Sequence, residues 1–400
     1  MENLGRVDQE REAGTDTQAP LKLRWRHKRA WRDIRRAFIT TDTGAAIILA
    51  TLAEHRQRGR WISYSRDRSH YSSPKRYRDP LYKFAPVVNA IDKLAADGWI
   101  FHDRAEPGRM GWQSAFFPTP ELIERAEGVV AEQPRLRLVK PEETVILRGP
   151  DGKLLDYKES RRTCKMRREL EALNEITTSS DVSCPAPVVR IFNKNFQRNG
   201  RVYAVGGGWQ SMPKDKRQEV TIRGEPVVEI DYKNLHPAIL YAMAEADMPS
   251  DCYALPGWDP SLRKLIKVAV LITLNAKNKS QARYAIAHND LIEAVAEKGT
   301  EKALWKADRL IDDIKRVHAP IAHYFHCDMG AELMQLDSEL AKTVMLEMGR
   351  RGEVVLPVHD SFLVRESQAD TLEEVMFRAA YEKGLLAISL DRATGVATGK

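Results

Sequence analysis

Two short stretches each offer a carboxylate at the end of an apolar β-type run. Val227-Val-Glu-Ile-Asp231 ends in Asp231, and an apolar helix pattern through Ala238, Ile239, Leu240, Tyr241 and Met243 follows within a few residues. Far downstream, Glu353-Val-Val-Leu-Pro-Val358 and Phe362-Leu-Val364 flank His359-Asp360-Ser361, a hairpin pattern with Asp360 at its tip. Either aspartate alone reads as a cap or turn residue. Together, carboxylates on adjacent strand ends supply oxygen ligands for two divalent cations about 4 Å apart, the clamp on attacking and leaving oxygens that phosphoryl transfer uses.

Between them, residues 262–276 form a helix pattern with Arg263 and Lys267 at i, i+4 on one face. Opposite such a site the pair can hold a triphosphate: the guanidinium fork grips phosphate oxygens, and the ammonium neutralises or protonates a leaving pyrophosphate. Without those neighbours the same pair fits a solvated stripe on an amphipathic helix.

The elements that position these residues belong to a chain of 400 residues with 43% hydrophobic content, enough for a full core and about two to three domains. Sixty-three basic against 56 acidic side chains leave a net charge of +7, and residues 1–80 carry essentially all of it. An acidic partner therefore meets the N-terminal end first. Cys164, Cys184, Cys252 and Cys327 are scattered without a C-x-x-C pair, which excludes a disulfide framework or a cysteine-built zinc site and fits a reducing compartment. With neither a membrane-length apolar run nor a signal-peptide core, the expectation is a soluble, cytoplasmic protein without a membrane partner.

Residues 1–20 read as a disordered tail and 21–40 as a basic helix. Residues 22–36 hold eight Lys/Arg, including Arg24, Arg26, Lys28 and Arg29, with Trp25 and Trp31 interleaved. That mixture suits phosphate contact, the alternative being a solvated helix whose tryptophans pack on the neighbouring domain. Residues 41–126 read as helix, basic loop containing Arg76, helix stopped by Gly98, and a two-stranded hairpin tipped by Arg109. This order resembles a winged helix-turn-helix, which implies DNA binding by its second helix and wing. Residues 127–187 read as a polar linker and a basic helix at 158–173, and 188–400 as the domain holding the chemistry. His318, His323 and His326 have ligand-like density but fit a packed helix facing a nucleic-acid cleft better than a zinc site, and Asp312 and Asp313 read as a solvated helix face.

Asp231-Tyr-Lys-Asn-Leu-His236, Arg263-x-x-x-Lys267 and His359-Asp360-Ser361-Phe362, in this order, resemble motifs A, B and C of family A DNA polymerases and of the single-subunit phage and mitochondrial RNA polymerases. Gly200-Arg201-Val-Tyr-Ala-Val205 is similar to the glycine-arginine motif of those RNA polymerases, and residues 330–348 stand where a helix precedes motif C. The likeness covers about residues 190–366. It implies an α+β polymerase palm, an antiparallel sheet with helices, with reduced fingers and thumb. It also implies two Mg²⁺ or Mn²⁺ ions on Asp231, Asp360 and the Tyr232 carbonyl, with Arg263 and Lys267 on the triphosphate and Lys267 as proton donor to pyrophosphate. His359 and Arg201 would hold primer end and template. The partners implied are a DNA template with its primer, or DNA with an RNA product, and nucleoside triphosphates.

The departures bear on sugar choice. Asn275 stands where both families carry a tyrosine that inspects the sugar, Ala276 replaces the glycine after it, and Gln197 replaces the acidic residue opening the glycine-arginine motif. His236 occupies the sugar-gate position, and its bulk leans toward deoxynucleotides. The expected function is a DNA-directed DNA polymerase without proofreading, acting in replication or repair of a genome or mobile element. An RNA polymerase or primase with the same site, and a non-catalytic DNA-binding replication or regulatory protein, are the other readings. Keeping both aspartates, the cationic pair and the glycine-arginine motif favours catalysis.

Overall fold

The computed structural model describes residues 18–21, 23, 28–57, 59–105, 113–131, 143–205 and 208–393, with backbone alone for 28, 29 and 57. The chain divides into two units, Met1–Thr144 with Pro185–Pro187, and Val145–Cys184 with Val188–Lys400. Both mix helices and strands, so the chain is α+β.

The first unit runs β1 (Gln18–Pro20), α1 (Lys28–Ala37), α2 (Asp42–Gln57), β2 (Trp61–Tyr64), α3 (Phe84–Ala96), β3 (Ile100–Asp103), β4 (Ser114–Pro118) and α4 (Pro120–Val130). Its sheet has the order β1-β2-β4-β3. α2 buries Ala45 through Leu49 as well as Leu52, more than one face, and so is the central helix. α3 buries Val87, Val88, Ile91 and Leu94, as its periodicity requires, and ends before Gly98 at φ +76°. α4 starts where the Thr119 hydroxyl accepts the Leu122 N–H, with Pro120 in its first turn.

Several expectations change in this unit. Residues 18–20, read as the end of a disordered tail, pair in parallel with β2, Gln18 opposite Trp61, and bury Ala19. The basic loop after α2 contains β2, so the β3–β4 hairpin is part of a four-stranded sheet. Trp31 packs on the core of its own unit and donates its indole N–H to the Asp42 carbonyl at 2.9 Å, so it is not held out for a base. Much of the basic character before α3 is internally paired. Arg60 meets Glu54, Arg66 grips both oxygens of Asp92, and Arg76 meets Glu143, whose side chain is 5% exposed. Arg24, Trp25, Arg26 and Arg109 lie outside the described residues, as do the side chains of Lys28 and Arg29.

The second unit continues with β5 (Val145–Arg148), α5 (Arg161–Ser179), β6 (Val188–Asn193), β7 (Asn199–Ala204), α6 (Lys214–Arg217), β8 (Thr221–Ile222), β9 (Glu225–Lys233), α7 (Leu235–Met243), α8 (Arg263–Asn275), α9 (Lys279–Ala287), α10 (Glu301–Val317), α11 (Gly330–Arg350), β10 (Leu356–Val358), β11 (Ser361–Arg365), α12 (Ala369–Tyr381) and β12 (Ser389–Ala393). The stretch read as a linker thus contains a strand, β5, parallel to β6. The basic helix forms as α5 behind a Ser160–Thr163 capping box.

The main sheet has the order β10-β11-β9-β12, with β8 also on β9 and every pairing antiparallel. Val228, Ile230 and Tyr232 of β9 are buried, and the Tyr232 hydroxyl donates to the Met376 carbonyl of α12 at 2.8 Å. Strand alternation puts Glu229 and Asp231 on the opposite face. A smaller sheet, β5-β6-β7, is locked to α11 by the fully buried Arg190, whose Nε donates to the Gly200 carbonyl (2.7 Å) and whose Nη2 donates to Ser338 Oγ and Glu339 (2.8 Å each).

Two further readings are corrected here. His318 faces no cleft: it is buried, with Nδ1 at 3.0 Å from the Tyr241 hydroxyl and Nε2 at 2.9 Å from the Cys252 carbonyl, a satisfied core histidine. Asp313 is no solvated residue, since it accepts the Trp258 indole N–H at 2.9 Å and pairs with Arg316. Cys164, Cys184, Cys252 and Cys327 are free thiols. No single helix among the described residues is long and apolar enough to cross a membrane.

Candidate active site

β9 carries its apolar residues toward α12 because alternation leaves no other register, and the same alternation turns Asp231 to the other face. β11 pairs with β9 so that Ser361 stands opposite Asp231. The β10–β11 connection is the two-residue turn His359-Asp360, with His359 at φ +63°. Asp360 therefore sits one residue beyond the Ser361–Asp231 pair, its carbonyl 3.5 Å from the Tyr232 amide nitrogen. β9 runs two residues past Asp231, so that aspartate is paired within a strand and does not end it.

Burial, then the charges of Asp360 and Glu229, push Asp231 up to about 6, and Lys267 of α8 acts in the opposite sense. Its Oδ1 is buried without a hydrogen-bond partner. Glu229 is otherwise engaged: it accepts from Ser361 Oγ at 2.7 Å and from Arg217 at 3.3 Å. Asp391 of β12 stands directly opposite Asp231 on its other side and pairs with Lys233 at 3.4 Å.

An unpartnered buried carboxylate oxygen beside a second carboxylate is a donor set that suits a hard divalent cation. Among the described residues no group of three or more His, Cys, Asp or Glu side chains is gathered to hold an ion. A Mg²⁺ ion shared between one or two carboxylates and substrate phosphates requires none.

Arg263 and Lys267 lie over the same ring, Tyr253, at 5.1 and 5.8 Å from its centroid, so α8 does present both cations on one side. Arg263 also grips Asp251 through Nε and Nη2 at 3.2 and 3.0 Å. Burial pushes the Tyr253 phenol up to about 12. Asn275 stands eight residues beyond Lys267, roughly 12 Å along the helix. Its Nδ2 donates to the Leu271 carbonyl, and its Oδ1 fills the space a Cβ on Gly330 would need. It thus closes the α8–α11 approach, and its contacts are not with the groups around Asp231.

Gly200 sits at φ +82°, and a Cβ there would lie 2.4 Å from the Phe192 ring, which explains the glycine ahead of Arg201. Arg201 reaches from β7 to Asp337 of α11, engaging it through Nε (3.0 Å) and Nη2. Burial opposes the Arg201 charge, but Asp337, helped by Asp360, holds its pKa above the usual value. His236, in the first turn of α7, places Nε2 at 3.0 Å from the same Asp337 oxygen. The His359 ring stands edge-on to Tyr203 at 6.3 Å, and burial together with Arg201 holds its pKa down.

Asp231, Asp360, Lys267 and Arg263 are thus linked electrostatically or through Tyr253, and Arg201, His236 and His359 through Asp337 and Asp360. Asp337, Tyr253 and Asp391 carry no motif in the sequence. An aspartate inside a helix pattern whose i±3 and i±4 neighbours, Leu333, Met334, Leu340 and Ala341, are all apolar is the one signal that points to a buried charge at Asp337.

No protein-family model matches the chain, and no curated protein matches it in sequence. Among solved structures it is similar to the POL domain of Pol1 from M. smegmatis in complex with DNA primer-template and dNTP. The identity is 13% and the TM-score 0.34, over 58% of this chain and 51% of that one. This chain therefore spans about half the length of that one.

Proposed function

We propose that this chain is a template-directed nucleotidyltransferase that joins the 3′-hydroxyl of a DNA primer to the α-phosphate of an incoming nucleoside triphosphate, releasing pyrophosphate. One observation carries the reading: the orphaned Asp231 oxygen lies in the field of Asp360, from a segment more than a hundred residues away, and that field is partly countered by Lys267.

Asp231, Asp360 and the Tyr232 carbonyl would hold two Mg²⁺ or Mn²⁺ ions, which supply Lewis-acid charge at the reacting phosphate and leaving oxygens. Arg263 grips the triphosphate by exchanging its Asp251 partner for phosphate oxygens. Both members of that ion pair are well exposed, at 51% and 39%, so it is worth under about 1 kcal/mol and opens readily. Lys267, one turn further along, donates a proton to the leaving pyrophosphate. His359, at the hairpin tip beside Asp360, meets the primer end as a neutral imidazole, and Arg201 offers the template backbone Nη1, the nitrogen not used by Asp337. Few side chains react because positioning and charge stabilisation do most of such chemistry. The first unit, with four helices, a four-stranded sheet that includes the β3–β4 hairpin, and the N-terminal excess of positive charge, serves as a winged-helix-like nucleic-acid-binding module.

Primer extension on a primed DNA template with Mg²⁺ or Mn²⁺ tests this directly. The wild-type chain extends the primer, and Asp231→Ala and Asp360→Ala each reduce the rate by at least about 1000-fold, the scale of losing the main electrostatic stabilisation. Extension that survives both substitutions overturns the assignment.

A further inference from the structure

We infer that the second unit carries a docking site for an acidic amphipathic helix of a partner protein, in a cavity walled by α5, α7 and α11. This does not depend on the polymerase reading. The cavity measures about 750 Å³, the same order as the roughly 850 Å³ filled by two turns of a helix about 10 Å across.

Each wall is one helical face. α5 contributes Arg162, Lys165, Met166 and Glu169, at i, i+3, i+4 and i+7. α7 contributes Ile239, Ala242 and Met243, at i, i+3 and i+4. α11 adds Leu336 and Leu340, and the turn after α12 adds Leu385. Met166, Ile239, Leu340 and Leu385 are buried, whereas Leu336 and Met243 are 40% and 47% exposed. Leu386, next to Leu385, is 74% exposed. The apolar surface thus runs from the cavity onto the outside. A small ligand filling the cavity would leave that outer part in water, while one apolar helix face, with side chains at i, i+3, i+4 and i+7, covers both.

Charge selects the partner. The acids of the cavity are already answered, since Glu339 accepts from Lys342 at 2.6 Å and from buried Arg190 at 2.8 Å, and Glu169 lies 3.7 Å from the same Lys342. Arg162, Lys165 and Lys383 remain exposed along its edge. Arg162 donates to the Phe196 carbonyl, and among the described residues neither it nor Lys383 has a carboxylate partner. Cations fringing an apolar slot favour an occupant with Asp or Glu beside its apolar stripe. Glu169 Oε2 is buried without a hydrogen-bond partner, and a peptide brings the N–H and O–H donors that such an acceptor needs, which a hydrocarbon-chain carboxylate lacks. Duplex DNA shares the negative charge but offers phosphates, and no apolar side chains, to the base of the slot.

The test is fluorescence anisotropy with the full-length chain and two sets of labelled helical peptides, each about five turns long. One set has Leu, Met, Ile or Phe at i, i+3, i+4 and i+7 and Glu or Ala elsewhere; in the other every Glu is Lys. The best acidic peptides should bind with Kd of about 10 to 100 µM, and the basic set at least about 10-fold more weakly. Met243→Ser combined with Leu336→Ser, which removes no charge, should weaken the best acidic peptide by at least about 10-fold and leave affinity for a primed DNA duplex unchanged. Arg162→Glu combined with Lys383→Glu should weaken the acidic set and strengthen the basic one, a reversal that damage to the fold does not produce. Absence of binding by every acidic peptide, equal binding of the two sets, or binding untouched by the serine pair overturns the inference. So does a loss of duplex affinity in the serine pair, which makes the slot a DNA contact. A wild-type dimer in sedimentation equilibrium that the serine pair converts to monomers also overturns it, because the occupant is then a second copy of the chain.

Discussion

Asp360 stands one residue past the partner of Asp231 in the β9–β11 ladder, and its charge adds to burial in pushing Asp231 up to about 6. A carboxylate raised in the folded state binds its proton more tightly there than in the unfolded chain, where its pKa is near 3.9. Below about pH 4 both states are protonated and nothing is lost. As pH rises through about 6 the folded state acquires an ionised, poorly solvated group, a destabilisation of ~3 kcal/mol once complete. Asp231→Asn should therefore raise the melting temperature at pH 8 and leave it nearly unchanged at pH 4. Equal shifts at the two pH values would show that burial is not what perturbs the group.

The same destabilisation is relieved by a divalent cation. Mg²⁺ added at pH 8 should raise the melting temperature of the wild-type chain in a concentration-dependent way, and the rise should shrink at pH 5, where a proton competes for Asp231. Asp360→Ala should weaken the response, and Asp231→Asn should remove it. Scanning calorimetry measures this without nucleotide or primer, so it is separable from activity.

Arg263 and Lys267 share one ring but not one partner, and their substitutions should part accordingly. Arg263→Ala should raise KM for the nucleotide, whereas Lys267→Ala should lower kcat by about 100-fold or more, the scale of a lost general acid. Asp251→Asn should act in reverse, lowering KM by up to about 5-fold because the guanidinium no longer has to leave an exposed ion pair worth under about 1 kcal/mol. Steady-state kinetics on the three variants separates these effects.

The sequence made the strand-borne part of the site legible. Val227 to Asp231 and Leu356 to Val364 have a period and a turn that leave few ways to pair, and antiparallel pairing then brings Asp231 and Asp360 to one place. Arg263 and Lys267 were readable from helical spacing. What spacing cannot show is which charge answers which across long sequence separations. Asp337 lies 136 residues from Arg201 and 101 from His236, and its role depends on how α11 crosses β7 and α7. A motif position such as Asn275 likewise says nothing of the side chain's packing, here into the space beside Gly330. In the first unit, short strands such as Gln18–Pro20 are held by pairing and not by local preference, so composition alone read them as tail.

Gly200 offers a test of how Arg201 is aimed. At φ +82° any side chain is strained, and a Cβ would also lie 2.4 Å from a ring atom of Phe192, itself fully buried and covered by the Arg190 guanidinium at 4.9 Å. The ring cannot retreat without moving Arg190, which holds the Gly200 carbonyl and the α11 side chains Ser338 and Glu339. Gly200→Ala should thus cost about 2 to 4 kcal/mol, from backbone strain and overpacking together. Combining it with Phe192→Leu should recover the packing share relative to Phe192→Leu alone, while the share due to positive φ persists. Urea denaturation of the four chains in that cycle measures both shares. A Gly200→Ala chain as stable as wild type would mean that neither the ring nor the backbone angle constrains this position.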